Sequence, residues 1–244
     1  GADEASHAAC RPFLSDGRVN LVVQPARLGW VRNSAAALGL GTAGEADFAC
    51  LQPHDDTMEA DYLSSLVAVA QAERSASVVY SDILSFGDAD DLIHQPSAIG
   101  SPLARMTLLL LNHFNAVAYR GLTRMSVLKA VEPMAGNPVN DFAVDTVWMT
   151  RLATLGDLVC VPRPLYRKRY HAGNTHGAWT HWSREQRIAA WTRHCLDMLR
   201  EAAKVADDPA ALTILIEAAR MRLFGTGGTP MLFQTRSLTE AEHA

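Results

Sequence analysis

Short apolar runs alternate with longer stretches of helical periodicity along most of this chain of 244 residues. The run SVVYSDI (77–83) is rich in β-branched residues, and DFACLQ (47–52) leads into a segment with Tyr62, Leu66 and Ala70 at helical spacing. Because strands and helices of this kind each have an apolar face to bury, they pack as layers. The alternation therefore predicts an α/β fold with a mixed, mostly parallel sheet flanked by helices.

The same patterns locate the individual elements. Strands are predicted at 20–24, 47–52, 77–83, 115–120 and 157–162. Helices are predicted at 30–40, after the second strand, at 103–111, at 123–131 with Thr123 as the cap, and from about 142 to 155. The acidic segment 87–101, which Gly and Pro interrupt, is expected to form a long loop or lid outside the core. The mid-strand residues expected to be buried are Phe48, Cys50, Val78, Val79, Val117 and Val159.

From Ser183 onward the pattern is purely helical, before a Gly-rich tail. This change predicts two units, a core at 1–182 and a helical C-terminal extension at 183–244. The longest apolar window, at 104–119, contains Arg105 and Asn112 and is too short and polar to span a bilayer. No transmembrane segment and no signal peptide are predicted.

Charge and cysteine content exclude several classes of partner and site. A formal charge of -4 and a pI near 6.1 lack the excess of Lys and Arg on which nucleic-acid binding depends. The four cysteines are far apart and form no C-x-x-C pair, which argues against a zinc knuckle or a disulfide framework. These features favour a reducing, cytoplasmic location, with the membrane surface as an open alternative.

Two adjacent carboxylates, Asp55 and Asp56, stand between the predicted strand 47–52 and the helix that follows it. Carboxylates at the end of a strand can hold a divalent cation against a phosphate. They can equally cap a helix that begins near Met58, because carboxylates suit the positive end of a helix dipole. Both interpretations stay open on these residues alone.

Three blocks, in this order, resemble the family 2 glycosyltransferases, which have the GT-A fold. The blocks are RLGWVRNSAAAL, LQPHDDTMEADYLSSL and VDTVWMTRLATLGDLVCVPRPLYRKRYH, and they extend from about Gly29 to His171. The ordered spacing of the three is more specific than any single motif. The resemblance implies a GT-A-like fold, a nucleotide-sugar donor, Mg²⁺ or Mn²⁺, and transfer to a hydroxyl of a saccharide, lipid or protein acceptor.

The resemblance also assigns roles at the donor site. Asp55 matches the second Asp of the family's D-x-D, whereas Pro53 replaces the first; His54 and Asp56 are the candidates to compensate. Arg169 and His171 match an R-x-H that contacts the diphosphate and the metal, although a solvated basic turn is the ordinary interpretation of such a segment. The implied metal ligands are Asp55, His171 and His54, and the implied donor-binding residues are Gly29, Arg32, Asn33, Asp56 and Arg169.

For the chemistry, Asp145 matches the Asp of the family's E-D pair, with Val144 in place of the Glu. In an inverting transfer such a carboxylate is the general base for the acceptor hydroxyl, and Asp141 is the second candidate. Both residues also suit the N-terminal end of a helix. Trp179 and Trp182 are expected to pack within the protein, with stacking on an acceptor sugar as the alternative.

At the start of the chain, Gly1 and Asp3 resemble the tail of the family's D-G-S-x-D segment. The resemblance therefore implies that the first strand, the first helix and most of the second strand are missing, and leaves open whether this chain is active by itself. The main hypothesis is an inverting, metal-assisted glycosyltransferase. The alternative, favoured by Pro53 and Val144, is a non-catalytic GT-A-like module that binds a saccharide or a partner. A sugar-nucleotide pyrophosphorylase is less consistent, because the expected Gly-rich, Lys-containing loop is not found.

Overall fold

The computed structural model describes residues 4–42, 44–111, 116–173, 179 and 181–225. Its α-helices are α1 (Glu4–Cys10), α2 (Gly29–Thr42), α3 (Tyr62–Ala72), α4 (Pro102–Leu111), α5 (Met125–Ala130), α6 (Val144–Leu155), α7 (Arg184–Ala202) and α8 (Pro209–Phe224). Its strands are β1 (Phe48–Cys50), β2 (Thr57–Met58), β3 (Ala76–Gly87), β4 (Leu92–Ile93), β5 (Leu122–Arg124) and β6 (Asp157–Tyr170). Short 3-10 helices lie at Arg11–Phe13, Ala116–Arg120 and Ala203–Val205.

One mixed sheet forms the centre of the structure, with strand order β1-β5-β3-β6-β2 and β4 paired with β3. The long central pair, β3 and β6, is parallel from Ala76↔Asp157 to Gly87↔Tyr170. The other pairings are short and antiparallel. This mixed sheet with flanking helices confirms the α/β fold class that the sequence predicts.

Helices cover both faces of the sheet. Successive side chains of β3 point to opposite faces, and each face has its own apolar cluster. Val78 belongs to the cluster shared with α4, α6, α7 and α8, whereas Val79 belongs to the cluster shared with α3. Met198 of α7 and Leu215 of α8 are both in the first cluster. The two C-terminal helices therefore share the sheet's own core, and the boundary at residue 182 stays a prediction.

The helical C-terminal region has the caps that its sequence favours. Ser183 and Gln186 form a reciprocal capping box at the start of α7. Asp208 accepts a hydrogen bond from the Ala211 N–H at the start of α8. None of the helices that the structure describes is apolar over enough of its length to cross a bilayer.

Two predicted strands are wrong. The segment 20–24 is not a strand, and Leu21, Val22 and Val23 are exposed. No strand in the described part of the chain pairs with it, so its β-branched residues alone do not make it a strand. In 115–120, residue 115 lies outside the described residues, and the remainder is the 3-10 helix Ala116–Arg120. The strand comes later, as β5, where Thr123 pairs with Val78 instead of capping a helix.

The segment 87–101 is not a lid. β3 continues to Gly87, β4 pairs back onto β3, and Ala98 exchanges two backbone hydrogen bonds with Leu158, at 2.8 and 2.9 Å. Ala98 is fully buried. The segment is thus fixed to the sheet by backbone pairing, although its acidic and Gly-containing sequence is typical of a loop.

Of the residues expected to be buried, Val78, Val79 and Val117 are buried. Phe48, Cys50 and Val159 are only half-buried. For the first two the reason is position, since β1 is an edge strand of the described sheet.

Helix α6 offers a matched test of the core. Leu152 is fully buried, whereas Leu155, three residues later, is 51% exposed. Leu152→Ala should lower the free energy of unfolding by about 2–5 kcal/mol, because it leaves a cavity beneath the sheet. Leu155→Ala should change it by no more than about 0.5 kcal/mol. Urea denaturation of both variants measures the difference, and equal losses would contradict this packing.

Candidate functional site

A buried carboxylate, Asp56, joins three distant parts of the chain. It is 7% exposed. Its Oδ2 accepts hydrogen bonds from the Tyr166 hydroxyl, at 2.6 Å, and from the Arg120 guanidinium, with which it forms an ion pair. Its Oδ1 accepts the backbone N–H of Arg169 at 2.9 Å. Asp56 thus fixes β6 and the 3-10 helix Ala116–Arg120 to the turn before β2.

Arg120 is held through its backbone as well as its side chain. Its carbonyl accepts hydrogen bonds from the Cys50 thiol, at 3.1 Å, and from the Tyr62 hydroxyl, at 3.3 Å. The following residue is Gly121, where a Cβ would lie 2.5 Å from the Val79 carbonyl oxygen. Glycine at this position therefore lets the chain come close enough to β3 for Arg120 to reach Asp56.

The predicted meeting of Asp55 and His171 is confirmed. His171 Nε2 lies 3.2 Å from Asp55 Oδ2, and the ring's Nδ1 accepts the Gly173 N–H at 3.1 Å. Because Nδ1 is an acceptor, Nε2 carries the hydrogen and donates it to Asp55. Desolvation raises the pKa of Asp55, but the His171 hydrogen bond and the charges of His54 and Arg120 outweigh it and hold that pKa below its ordinary value.

The capping interpretation of the acidic pair is wrong. Residues Thr57–Met58 form β2, and α3 begins only at Tyr62. The turn that contains Asp55 and Asp56 instead leads into an edge strand, where β2 pairs with β6 at Arg167 and Tyr166. The segment that contains Arg169 is likewise part of β6, not a solvated turn.

The Asp55–His171 pair fits a divalent cation that takes further ligands from a substrate. No group of three His, Cys, Asp or Glu side chains suited to a metal occurs among the residues that the structure describes. Mg²⁺ and similar ions are commonly held by one or two protein groups together with substrate phosphates and water. Coordination by His171 Nε2 would require its hydrogen to move to Nδ1, at the expense of the Gly173 bond. His54 is exposed, and it influences the pair through the pKa of Asp55.

Asp145 lies in the first turn of α6 and is electrostatically part of this cluster. Its side chain is half-buried, and Oδ1 accepts the Thr146 N–H at 2.9 Å. Burial raises the pKa of Asp145, whereas the Thr146 hydrogen bond and the charges of Arg120 and Lys168 oppose the rise. A carboxylate with these surroundings can accept a proton more readily than an exposed one.

Asp141 has a different setting. Its Oδ1 accepts the Asn137 N–H at 3.0 Å, and its backbone is left-handed, with φ 57°. Ala143, which precedes α6, is also left-handed. Asp141 therefore closes the loop before α6.

The predicted donor-binding residues Gly29, Arg32 and Asn33 form the start of α2 and are exposed. Trp30, in the same turn, lies with its ring centroid 6.5 Å from that of Tyr119. The Arg120 guanidinium stands over the Tyr119 ring, at 5.2 Å from its centroid. The start of α2 is thus adjacent to the cluster around Asp56.

Sequence analysis missed Arg120, Tyr166 and Lys168. Lys168 is buried, with Nζ 3.3 Å from the Tyr170 hydroxyl, and burial lowers its pKa to about 8. The charge of Arg120 acts in the same direction, whereas Asp56, Asp145 and Asp55 oppose it. The signal was present in the alternation of Tyr166, Lys168 and Tyr170, but the predicted strand ended at residue 162.

Trp179 and Trp182 pack against Phe142, with ring centroids 4.7 and 5.8 Å apart respectively. These contacts agree with a packing role. Phe142 is buried and lies in the loop before α6. Stacking on an acceptor sugar stays a prediction.

The ion pair of Asp56 and Arg120 can be tested against an exposed pair. Asp56→Asn should lower the free energy of unfolding by about 3–5 kcal/mol, because it leaves a buried guanidinium without its counter-charge. Asp61 pairs with Arg163 at 2.8 Å, and both side chains are about half exposed. Asp61→Asn should cost far less, because water screens an exposed ion pair. Similar losses in chemical denaturation would mean that the Asp56 pair contributes no more than a surface contact.

The sequence matches no protein-family model and no curated protein. Solved structures match it in fold. Residues 1–349 of TarS from S. aureus align with a TM-score of 0.61 and 12% identity, over 100% of this chain and 67% of that one. The same protein in complex with UDP-GlcNAc aligns with a TM-score of 0.55 and 13% identity, over 92% of this chain and 71% of that one.

A third structure is the mannosyltransferase PcManGT from Pyrobaculum calidifontis in complex with GDP-Man and Mn²⁺. It aligns with a TM-score of 0.51 and 14% identity, over 100% of this chain and 69% of that one. At such low identity the likeness concerns the fold. The chain therefore shares its α/β fold with this mannosyltransferase and with TarS.

Proposed function

We propose that the chain is a family 2-like glycosyltransferase that moves a sugar from a nucleotide-sugar donor to an acceptor hydroxyl, with inversion and with the help of a metal ion. The observation that carries the proposal is the 3.2 Å contact between Asp55 and His171, next to the buried pair of Asp56 and Arg120. Support comes from the shared fold, since solved structures with this fold contain UDP-GlcNAc, or GDP-Man and Mn²⁺.

In this proposal, Asp55 and His171 hold Mg²⁺ or Mn²⁺, and His54 is available beside them. When bound, such an ion supplies positive charge against the diphosphate that leaves as the sugar is transferred. Arg169 is exposed, and its backbone is fixed by Asp56 Oδ1, so its guanidinium starts from the same edge of the sheet. A planar guanidinium suits a phosphate.

At the other side of the donor, the start of α2 borders the nucleotide, with Gly29, Arg32 and Asn33 as the proposed contacts. The packing of Trp30 on Tyr119 supports this placement, because it fixes the first turn of α2 beside Arg120. Asp56 contributes indirectly, by holding Arg120 and the backbone of Arg169.

Asp145 is the proposed general base. Its raised pKa brings the carboxylate closer to the operating pH, which favours proton abstraction from a hydroxyl. The Thr146 N–H engages Oδ1 of the carboxylate, and Oδ2 is the oxygen proposed to take the proton. Asp141 is the second candidate for the base.

A cytoplasmic location, in solution or at a membrane surface, belongs to the same proposal. All four cysteines are free thiols, as is usual in a reducing compartment.

A non-catalytic saccharide-binding module is the second candidate function. Val144, at the position of the family's Glu, is 5% exposed and packs in the core. That position therefore contributes packing and no acidic group, which is the observation in favour of this candidate. A transfer assay separates the two functions, because a binding module would hold the nucleotide or sugar without turnover.

Metal dependence of nucleotide binding tests the donor site. The purified chain should bind a nucleotide diphosphate about tenfold or more tightly with Mn²⁺ than without it, because Asp55 would hold an ion whose positive charge offsets that of the diphosphate. Asp55→Asn should abolish this difference, whereas Asp61→Asn, at an exposed carboxylate, should retain it. Calorimetric titration of UDP and GDP provides the measurement. Metal-dependent binding that persists in Asp55→Asn would show that the ligand set is wrong.

Transfer kinetics test the base. Asp145→Asn should retain donor binding but lose about 10²-fold or more in transfer rate, as expected when a general base is removed from an assembled site. In the unchanged chain, transfer should fall on acidification at a pH above the ordinary carboxyl range of about 4, because burial raises the pKa of Asp145 and the base must be ionised. Asp141→Asn is the matched control. If it alone abolishes transfer, Asp141 is the base.

A further inference from the structure

A polar cavity lies between α6 and α7, and Asp56 is not among its lining residues. Its volume is about 160 Å³. The residues that give it its chemistry are Trp148, Arg151, Arg193, Asp197, Arg200 and Glu201. Its lining includes neither Asp55 nor His171, although Val144, the neighbour of Asp145, and Asn137, whose N–H binds Asp141, belong to it.

Arginine dominates the charge of this cavity. Asp197 accepts hydrogen bonds from Arg193, at 2.6 Å, and from Arg200, at 2.8 Å, one at each carboxylate oxygen. Glu201 is likewise engaged at both oxygens, by Arg151 at 2.7 Å and by Lys204 at 2.6 Å. Each guanidinium has five N–H donors. Arg151 also pairs with Glu132, at 3.5 Å. The three carboxylates are thus engaged, and the three arginines and Lys204 exceed them by one positive charge, with guanidinium donors to spare.

Two buried donors, on residues that line the cavity, have no partner in the described structure. They are Trp148 Nε1 and Arg151 Nε. Trp148 is 3% exposed. The two residues are three positions apart on α6, so their side chains are neighbours on one face of the helix. Both atoms can only donate, and leaving a buried donor unpaired is unfavourable. Two side chains beside the cavity therefore each lack one hydrogen-bond acceptor.

We propose that this cavity binds a small oxyanion of the size of phosphate, between α6 and α7. An oxyanion brings several acceptor oxygens and a negative charge, which the two unpartnered donors and the three arginines match. Guanidinium groups recognise such anions through paired N–H bonds. A water molecule would satisfy one of the donors and leave the excess positive charge without a partner. This proposal does not depend on the proposed glycosyl transfer.

The test observes the Trp148 indole N–H directly. The chain is titrated with potassium phosphate, with KCl adjusted to constant ionic strength, and the indole N–H signals are recorded by ¹H–¹⁵N NMR. Trp148→Phe and Trp30→Phe assign the two relevant signals. The Trp148 signal should move saturably, because its N–H gains an acceptor, whereas the Trp30 signal should stay in place.

Variants of the arginines test the charge. Arg193→Gln should weaken phosphate binding about tenfold or more, because it removes one charge-assisted contact. Arg163→Gln, which changes an exposed arginine paired with Asp61, should leave binding unchanged. The Arg193 side chain is 38% exposed and that of Arg200 is 65% exposed. Arg200→Gln therefore serves as a second test if Arg193→Gln proves unstable.

Three results would overturn the proposal. One is the lack of any saturable shift of the Trp148 signal beyond that caused by KCl. Another is unchanged phosphate affinity in both Arg193→Gln and Arg200→Gln. The last is binding that is lost in Arg169→Gln but kept in Arg193→Gln, which would place the phosphate at the candidate functional site.

Discussion

The buried ion pair between Asp56 and Arg120 is the interaction on which the candidate site depends. Two opposite charges removed from water are stable only when hydrogen bonds and counter-charge satisfy them nearly completely. Here the Tyr166 hydroxyl and the Arg169 N–H complete the carboxylate. Since these partners come from separate elements, the requirement to satisfy Asp56 determines how β6 meets the turn before β2.

The two adjacent carboxylates have different roles in this arrangement. Asp56 is buried and holds the structure together, whereas Asp55 is partly exposed and faces His171. The rigid residue thus positions the one that can reach a ligand. Lys168 and Asp145 belong to the same electrostatic cluster, since each influences the pKa of the other. A change in the charge of one of these groups therefore changes the pKa of the others.

The sequence predicted the features that depend on local pattern. The alternation of elements, the apolar face of α3 and the helical pattern after Ser183 follow from spacing. The resemblance implied that Asp55 and His171 share a site, and the two side chains are in contact. Features that depend on distant partners were missed. The run at 20–24 has the composition of a strand, but no strand among the described residues pairs with it. Ala98 has little strand character, yet it pairs with β6.

The same reason accounts for the residues of the site that were missed. Arg120 follows an apolar run, and nothing in the local sequence indicates that it binds Asp56. The close approach at Gly121, which makes this contact possible, is visible only in the structure. Local propensity is a weak guide where tertiary contacts decide the conformation. The preference for Asp145 over Asp141 as the proposed base came from the resemblance. The burial that raises its pKa and the nearby charges that oppose the rise became visible only in the folded chain.

The long parallel pairing of β3 with β6 affects the order in which the protein can fold during synthesis. Ala76 pairs with Asp157, and the partners of Asp56 follow it by 64 to 113 positions. Contacts so distant along the chain form late and slowly, because the entropy cost of closing a large loop comes before the contacts stabilise the fold. During synthesis Asp56 therefore emerges from the ribosome well before Arg120 and the other partners that satisfy its carboxylate. We therefore expect the candidate site and the sheet to form in one cooperative step, after β6 has been made.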